Sequence, residues 1–197
     1  MEIYAREIFS RVYEIDNAFK NIALAFEYLG KNSFEGSSYN FSEHYAFHIE
    51  NFLLRLTSVI DRSYLLAGST MLMENTKIER LGGNRLIHKK LEDFSPEAAE
   101  TLKKMEEQVA SLRQSRNTVA HQAGFSSKNL SLIQTVENVN AEMSKSLTDI
   151  MPLDDMKKET RDEVLLPFKN IVTSIDKSVE DLLNSLSFVY TDLLEST

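Results

Sequence analysis

The sequence predicts an all-α protein, an antiparallel bundle of four principal helices with one or two short helices. Composition is the first reason, because only six Gly and three Pro occur among 197 residues, whereas β folds are rich in turns. The second reason is that apolar residues recur at alternating spacings of three and four along several long stretches. The length suits one substantial core, so we expect a single domain over residues 1–197.

The first two predicted helices lie in the N-terminal third of the chain. One extends from near Ile3 to near Gly30, and the other extends from Ser42, a candidate N-cap, to about Ala67. The intervening segment 31–40 is rich in Ser, Gly and Asn, which predicts a loop. The apolar stripe of the second helix is wide, so we expect this helix to be buried on two sides.

The middle of the chain contains the clearest helix start. Between residues 68 and 94 the apolar pattern breaks up, which predicts a connection with a short helix over 71–81 that ends at Gly82-Gly83. Ser95-Pro96-Glu97 then combines a capping hydroxyl, a proline in the first turn and a carboxylate near the positive end of the helix dipole. A long helix is therefore predicted from Ser95 to Gly124.

Two further helical stretches complete the predicted bundle. A weakly amphipathic helix over about 130–150 is closed by Pro152, and Pro167 marks a kink or the start of the last helix. The last helix has the most regular stripe, which comprises Leu165, Phe168, Val172, Ile175, Val179, Leu182, Leu186, Val189 and Leu193.

Charge and composition bound the class of protein. The net charge is −8, yet five basic residues face one acidic residue between Lys77 and Lys90, and five face two between Thr101 and Leu130. This basic middle could guide RNA, and ordinary variation in surface charge is the alternative.

No Cys is present, which excludes disulfides and a thiol nucleophile, and no long apolar run or signal peptide is evident. We therefore expect a cytoplasmic protein without a membrane partner.

The helix that begins at Ser95 carries an arginine within its apolar stripe. Because an unpaired buried charge costs several kcal/mol, Arg116 must be paired, reach solvent, or face a ligand or a second subunit. Asn117 and His121 lie about 40° apart around the helix, so Asn117 can orient His121. Arg116 and His121 are about 140° apart. The stripe before Arg116 comprises Leu102, Met105, Val109 and Leu112.

The pattern Arg116-Asn117-x-x-x-His121 resembles the Arg-x(4-6)-His signature of the HEPN superfamily, the higher eukaryote and prokaryote nucleotide-binding helical domains, in its Arg-Asn-x-x-x-His form. In that family the motif lies towards the end of a long bundle helix, which is where it falls here. The resemblance implies a metal-independent endoribonuclease, often a toxin or defence component, that acts as a homodimer. Both protomers would line one cleft, with RNA as substrate and a protein partner or antitoxin possible.

The chemistry of such a site needs neither a metal nor a cofactor. The 2′-hydroxyl of RNA would attack the phosphate while His121 moves protons, because its unperturbed pKa lies near neutrality. Arg116 would neutralise charge in the transition state with its planar fork, and Asn117 would hold the imidazole. The predicted RNA-binding residues are Arg113, Lys89 and Lys90.

A non-catalytic alternative uses the same residues. Arg116 would pair with Asp61 or Glu50, and His121 would cap carbonyls at the helix end. The protein would then be a HEPN-like interaction or nucleotide-binding module.

Two other patterns carry weaker signals. His44 and His48 are spaced i, i+4 and could hold a metal, but no third ligand is placed, and the neighbouring Tyr45 and Phe47 favour packing or an interface. Gly82-Gly83-Asn84 lacks the spacing of a phosphate loop, which favours a plain turn. No Gly-x-Ser-x-Gly motif occurs, which argues against a serine hydrolase.

Overall fold

The computed structural model describes residues 2–121, 125 and 127–195, with the side chains of these residues except 111, 113–121 and 193–195. The all-α prediction is confirmed, because this described part of the chain forms helices and no strand. None of the described helices has an apolar stretch that could cross a membrane. The helices are α1 (Glu2–Leu29), α2 (Phe41–Thr70), α3 (Asn75–Ile78), α4 (Gly83–Phe94), α5 (Pro96–His121), α6 (Lys128–Asn138), α7 (Ala141–Thr148) and α8 (Leu153–Glu195).

The chain divides into two compact units. The first unit comprises Met1–Lys20, Arg55–Ser111 and Ile171–Thr197, and the second comprises Asn21–Leu54 and Leu112–Asn170. The four long helices α1, α2, α5 and α8 contribute to both units. That residues 1–197 form a single domain stays a prediction.

In the first unit, hydrogen bonds connect the long helices near their ends. The hydroxyl of Tyr4 in α1 donates to the carbonyl of Thr70 at the end of α2 (3.2 Å), and the Thr70 hydroxyl lies 2.8 Å from the Tyr190 hydroxyl of α8. Ser95, just before α5, donates its hydroxyl to the carbonyl of Ser185 in α8 (3.3 Å). A second contact in each pair fixes the direction, because Arg62 of α2 pairs with Glu14 of α1 (3.2 Å) and Gln108 of α5 donates to Ser174 of α8 (2.9 Å). Within this unit, α1 therefore runs antiparallel to α2 and α5 runs antiparallel to α8, in agreement with the predicted antiparallel bundle.

The prediction that residues 68–94 form a connection is wrong for most of the segment, because it contains helix α4. Ile87 and Leu91 are fully buried on one face of this helix, but most of its other residues are polar, so the stripe is too narrow to be recognised from spacing. The helix predicted over 71–81 is reduced to the four residues of α3. Gly83 begins α4 so close to α3 that a Cβ there would lie 1.9 Å from the carbonyl oxygen of Ile78.

In the second unit, α2 begins at a capping box rather than at Ser42. Asn40 Oδ1 accepts a hydrogen bond from the backbone N–H of Glu43 (3.1 Å), and Glu43 Oε2 accepts one from the backbone N–H of Asn40 (2.9 Å). One turn later, the buried Tyr45 donates its hydroxyl to the carbonyl of Thr160 (3.1 Å), which ties α2 to α8.

The single helix predicted over residues 130–150 is two helices, α6 and α7. Asn140 Oδ1 accepts a hydrogen bond from the backbone N–H of Met143 (3.0 Å) and so starts α7. The apolar spacing continues across this break, so the pattern alone does not reveal it. Helix α8 begins at Leu153, earlier than predicted, and Pro167 lies inside it rather than at its start.

Candidate functional site

The predicted catalytic residues Arg116, Asn117 and His121 lie in the last turns of α5, whose 26 residues end at His121. Their backbone is helical, and their side chains lie outside the described residues, as does the predicted helix end at Gly124. Arg116 follows Val109 by about two turns and so lies about 20° from it around the helix axis. The position of Arg116 therefore continues the buried face, which comprises Leu102, Met105 and Val109.

A hydrogen bond attaches the chain beyond α5 to α2. Glu50 Oε1 accepts a hydrogen bond from the backbone N–H of Phe125 at 2.6 Å, and the Glu50 carboxylate is half-buried. Such charge-assisted bonds are among the stronger ones in proteins. Asp61 accepts a hydrogen bond from the side-chain amide of Asn84 (2.9 Å). Pairing of either carboxylate with Arg116 stays a prediction.

The predicted RNA-binding residues are divided between the two units. Lys89 and Lys90 are exposed on α4 in the first unit. Arg113 belongs to the second unit, and its side chain lies outside the described residues. A single RNA path past these residues stays a prediction.

A second group of chemically capable residues lies at the end of α1, in the loop over residues 31–40 and at the start of α2. Four of its rings are nearly parallel. His48 stacks on Tyr28 with centroids 4.6 Å apart and planes at 14°, and His44 stacks on Phe34 at 4.0 Å and 10°. The two imidazoles are themselves 6.2 Å apart with planes at 12°. This ring stack lies wholly within the second unit.

Two exposed rings contact the ring stack edge-on and help to line a cavity. Phe47 is 61% exposed and meets His48 edge-on at 5.2 Å, and Tyr39 is 65% exposed and meets His44 edge-on at 6.2 Å. The cavity has a volume of about 550 Å³, which is in the range of small-molecule sites. We call it the aromatic cavity, and it is lined by Tyr28, Tyr39, Glu43, His44, Phe47 and His48.

An adjoining, more polar cavity of about 500 Å³ shares Tyr28 and His44 with the aromatic cavity. It adds Lys31, Glu35, Ser33 and Ser37 to the lining, together with Phe34 of the ring stack. Lys31 Nζ lies 4.0 Å from the centroid of the Tyr28 ring, a cation–π contact, and His44 Nε2 lies 2.7 Å from Ser37 Oγ. One positive charge, one negative charge and two hydroxyls therefore lie next to the ring stack.

The surroundings of the ring stack disfavour the charged form of one imidazole. Burial lowers the pKa of His48, and the nearby His44 and Lys31 lower it further, because each disfavours another positive charge. Among the described residues, no group of three or more His, Asp or Glu is arranged to hold a metal. Within that part of the chain, the His44–His48 pair is surrounded by rings instead of by further ligands.

The sequence did not predict the aromatic cavity. It predicted packing or an interface near His44 and His48, and the structure shows that Tyr45 is fully buried whereas Phe47 lines the cavity. The sequence feature that could have indicated the cavity is the high density of aromatic residues, since seven occur from Phe26 to Phe47.

Comparison with known proteins identifies the family. The family model described as HEPN_Cthe2314-like HEPN matches residues 3–194, nearly the whole chain. The chain therefore belongs to this HEPN family, which confirms the resemblance carried by Arg116-Asn117-x-x-x-His121. No curated protein and no solved structure matches the chain.

Proposed function

We propose that this protein is a metal-independent endoribonuclease whose reaction centre is formed by Arg116, Asn117 and His121. The observation that carries the proposal is the motif Arg116-Asn117-x-x-x-His121 in the last turns of α5, in a chain that belongs to a HEPN family. The toxin or defence role, and a protein antitoxin as partner, are proposed on the family resemblance.

The reaction uses the RNA itself as nucleophile. The 2′-hydroxyl attacks the adjacent phosphorus, the bond to the 5′-oxygen of the next nucleotide breaks, and a 2′,3′-cyclic phosphate forms. His121 transfers the protons, Arg116 binds the charged phosphate oxygens, and Asn117, one helical turn before His121, orients its imidazole.

The active form is proposed to be a homodimer with one shared cleft. Arg116 continues a buried face of α5, and a two-fold axis near it would give that charge a polar surrounding and bring two motifs together. One histidine then takes the 2′-hydroxyl proton while its mate protonates the leaving oxygen. Arg113, Lys89 and Lys90 are proposed to bind the RNA backbone.

The experiment is RNA cleavage by the purified full chain in excess EDTA. We expect cleavage by the wild type and its loss in Arg116→Ala and in His121→Ala. Arg6→Ala is the matched control, because Arg6 is a highly exposed arginine far from the motif in sequence. If natively folded wild type cleaves no RNA, the proposal fails and a non-catalytic interaction or nucleotide-binding module is favoured.

A further inference from the structure

The two exposed rings of the aromatic cavity each pack against an imidazole of the ring stack. Phe47 and Tyr39 are exposed, yet each contacts an imidazole edge-on, at 78° for His48 and 82° for His44. The imidazoles of His48 and His44 stack in turn on Tyr28 and Phe34. Because pre-oriented side chains lose little conformational freedom when a ligand binds, these exposed rings suit the stacking of a flat aromatic ligand.

The polar groups of the aromatic cavity favour a ligand that carries hydrogen-bonding atoms on its edge. Glu43 contributes a carboxylate that can accept from an amino group, and His48 contributes an imidazole that can donate and, in its neutral form, also accept. A nucleobase combines a flat π face with an edge that carries ring acceptors and N–H donors. A purely aliphatic ligand would leave these polar groups unpaired.

The adjoining polar cavity suits the sugar and phosphate of the same ligand. The ammonium of Lys31 lies over the ring of Tyr28, and Tyr28 lines both cavities. Ser33 and Ser37 line the same space, and their hydroxyls can donate to phosphate or ribose oxygens. Glu35 also lines it, and its carboxylate can accept hydrogen bonds from ribose hydroxyls. A positive charge next to a stacking surface is the combination that single-stranded nucleic-acid sites use.

We infer that the two cavities together bind a nucleotide, with its base stacked on Tyr39 and Phe47 and its phosphate beside Lys31. The nucleotide is either a free mononucleotide or an unpaired nucleotide within RNA, since both present the same base and phosphate. The site is built from the second unit and requires neither Arg116 nor RNA cleavage.

The test is calorimetric titration of the full chain with AMP, with GMP, with adenosine, with ribose 5-phosphate and with an eight-nucleotide oligo(A). The oligonucleotide is titrated into Arg116→Ala protein, so that cleavage does not disturb the measurement. We expect AMP or GMP to bind more tightly than adenosine, and ribose 5-phosphate to bind least. Oligo(A) binding without mononucleotide binding identifies the ligand as RNA, and equal binding of AMP and oligo(A) identifies a free nucleotide.

Variants locate the binding. Tyr39→Ala and Phe47→Ala should each weaken binding roughly 5- to 100-fold, as expected for the loss of one stacked ring, and Phe47→Trp should restore it. Lys31→Ala should weaken AMP binding while leaving adenosine unchanged. Phe9→Ala is the matched control, because Phe9 is a 72% exposed ring of the first unit.

Two results would overturn the inference. One is the absence of binding by every mononucleotide and by oligo(A) at millimolar concentration. The other is wild-type affinity in both Tyr39→Ala and Phe47→Ala, with circular dichroism confirming native helix content. The proposed nuclease is judged separately, because its failure appears in the cleavage of RNA in EDTA and leaves these titrations unchanged.

Discussion

Glu50 is expected to fix the chain beyond α5 and so to stabilise the end of the motif helix. Its half-buried carboxylate accepts a 2.6 Å hydrogen bond from the backbone N–H of Phe125. A hydrogen bond to a charged group contributes about 1.5–3 kcal/mol net, so Glu50→Ala should lower the free energy of unfolding by about that amount. Glu50→Gln keeps an acceptor oxygen but loses the charge, so it should cost about half as much.

The assay is urea unfolding followed by circular dichroism, combined with hydrogen exchange at the Phe125 amide. Exchange should be faster in Glu50→Ala than in the wild type, because the amide loses its acceptor. Glu27→Ala is the control, since Glu27 is an exposed glutamate of the same unit. If Glu50→Ala is as stable as Glu27→Ala and the Phe125 amide exchanges at the wild-type rate, Glu50 does not stabilise this segment.

Three further predictions concern stability. Arg116→Ala should leave the melting temperature nearly unchanged or raise it, because active-site charges are often held at a cost to stability; a drop equivalent to about 3–5 kcal/mol that is rescued by Asp61→Asn or by Glu50→Gln would instead show a buried ion pair. Gly83→Ala should lower the melting temperature strongly, since the added Cβ would lie 1.9 Å from the Ile78 carbonyl oxygen, and an unchanged melt would contradict this. Burial lowers the pKa of His48, so the unfolded chain binds this proton more readily, and stability should fall as pH drops below about 6.5 and level off below the folded pKa. His48→Gln should flatten this pH profile in melts between pH 8 and 5.

The sequence predicted the long helices because their apolar stripes are wide and regular. The start of α5 was predicted from Ser95-Pro96-Glu97, where three independent helix-start signals coincide. Helix α4 was missed because only Ile87 and Leu91 mark its buried face clearly. The break between α6 and α7 depends on one side-chain cap, at Asn140, which periodicity does not encode.

The two candidate sites differ in how far sequence could predict them. The Arg116 motif lies within one helix, so helix geometry alone fixes the spacing of its positions. The aromatic cavity joins three separate segments, and the position of a loop ring such as Tyr39 against His44 depends on tertiary packing. Local periodicity contains no information about that contact, so only the density of aromatic residues indicated it.

In the proposed cleavage reaction, RNA supplies its own nucleophile, and Arg116 and His121 supply the catalysis. The most direct measurement is mass spectrometry of the products formed by the full chain from a defined RNA in EDTA. We predict 2′,3′-cyclic phosphate and 5′-hydroxyl ends, absent with His121→Ala and absent when the nucleotide at the cleavage position is 2′-deoxy. Products with 5′-phosphate ends, or undiminished cleavage at the deoxy position, would contradict the account.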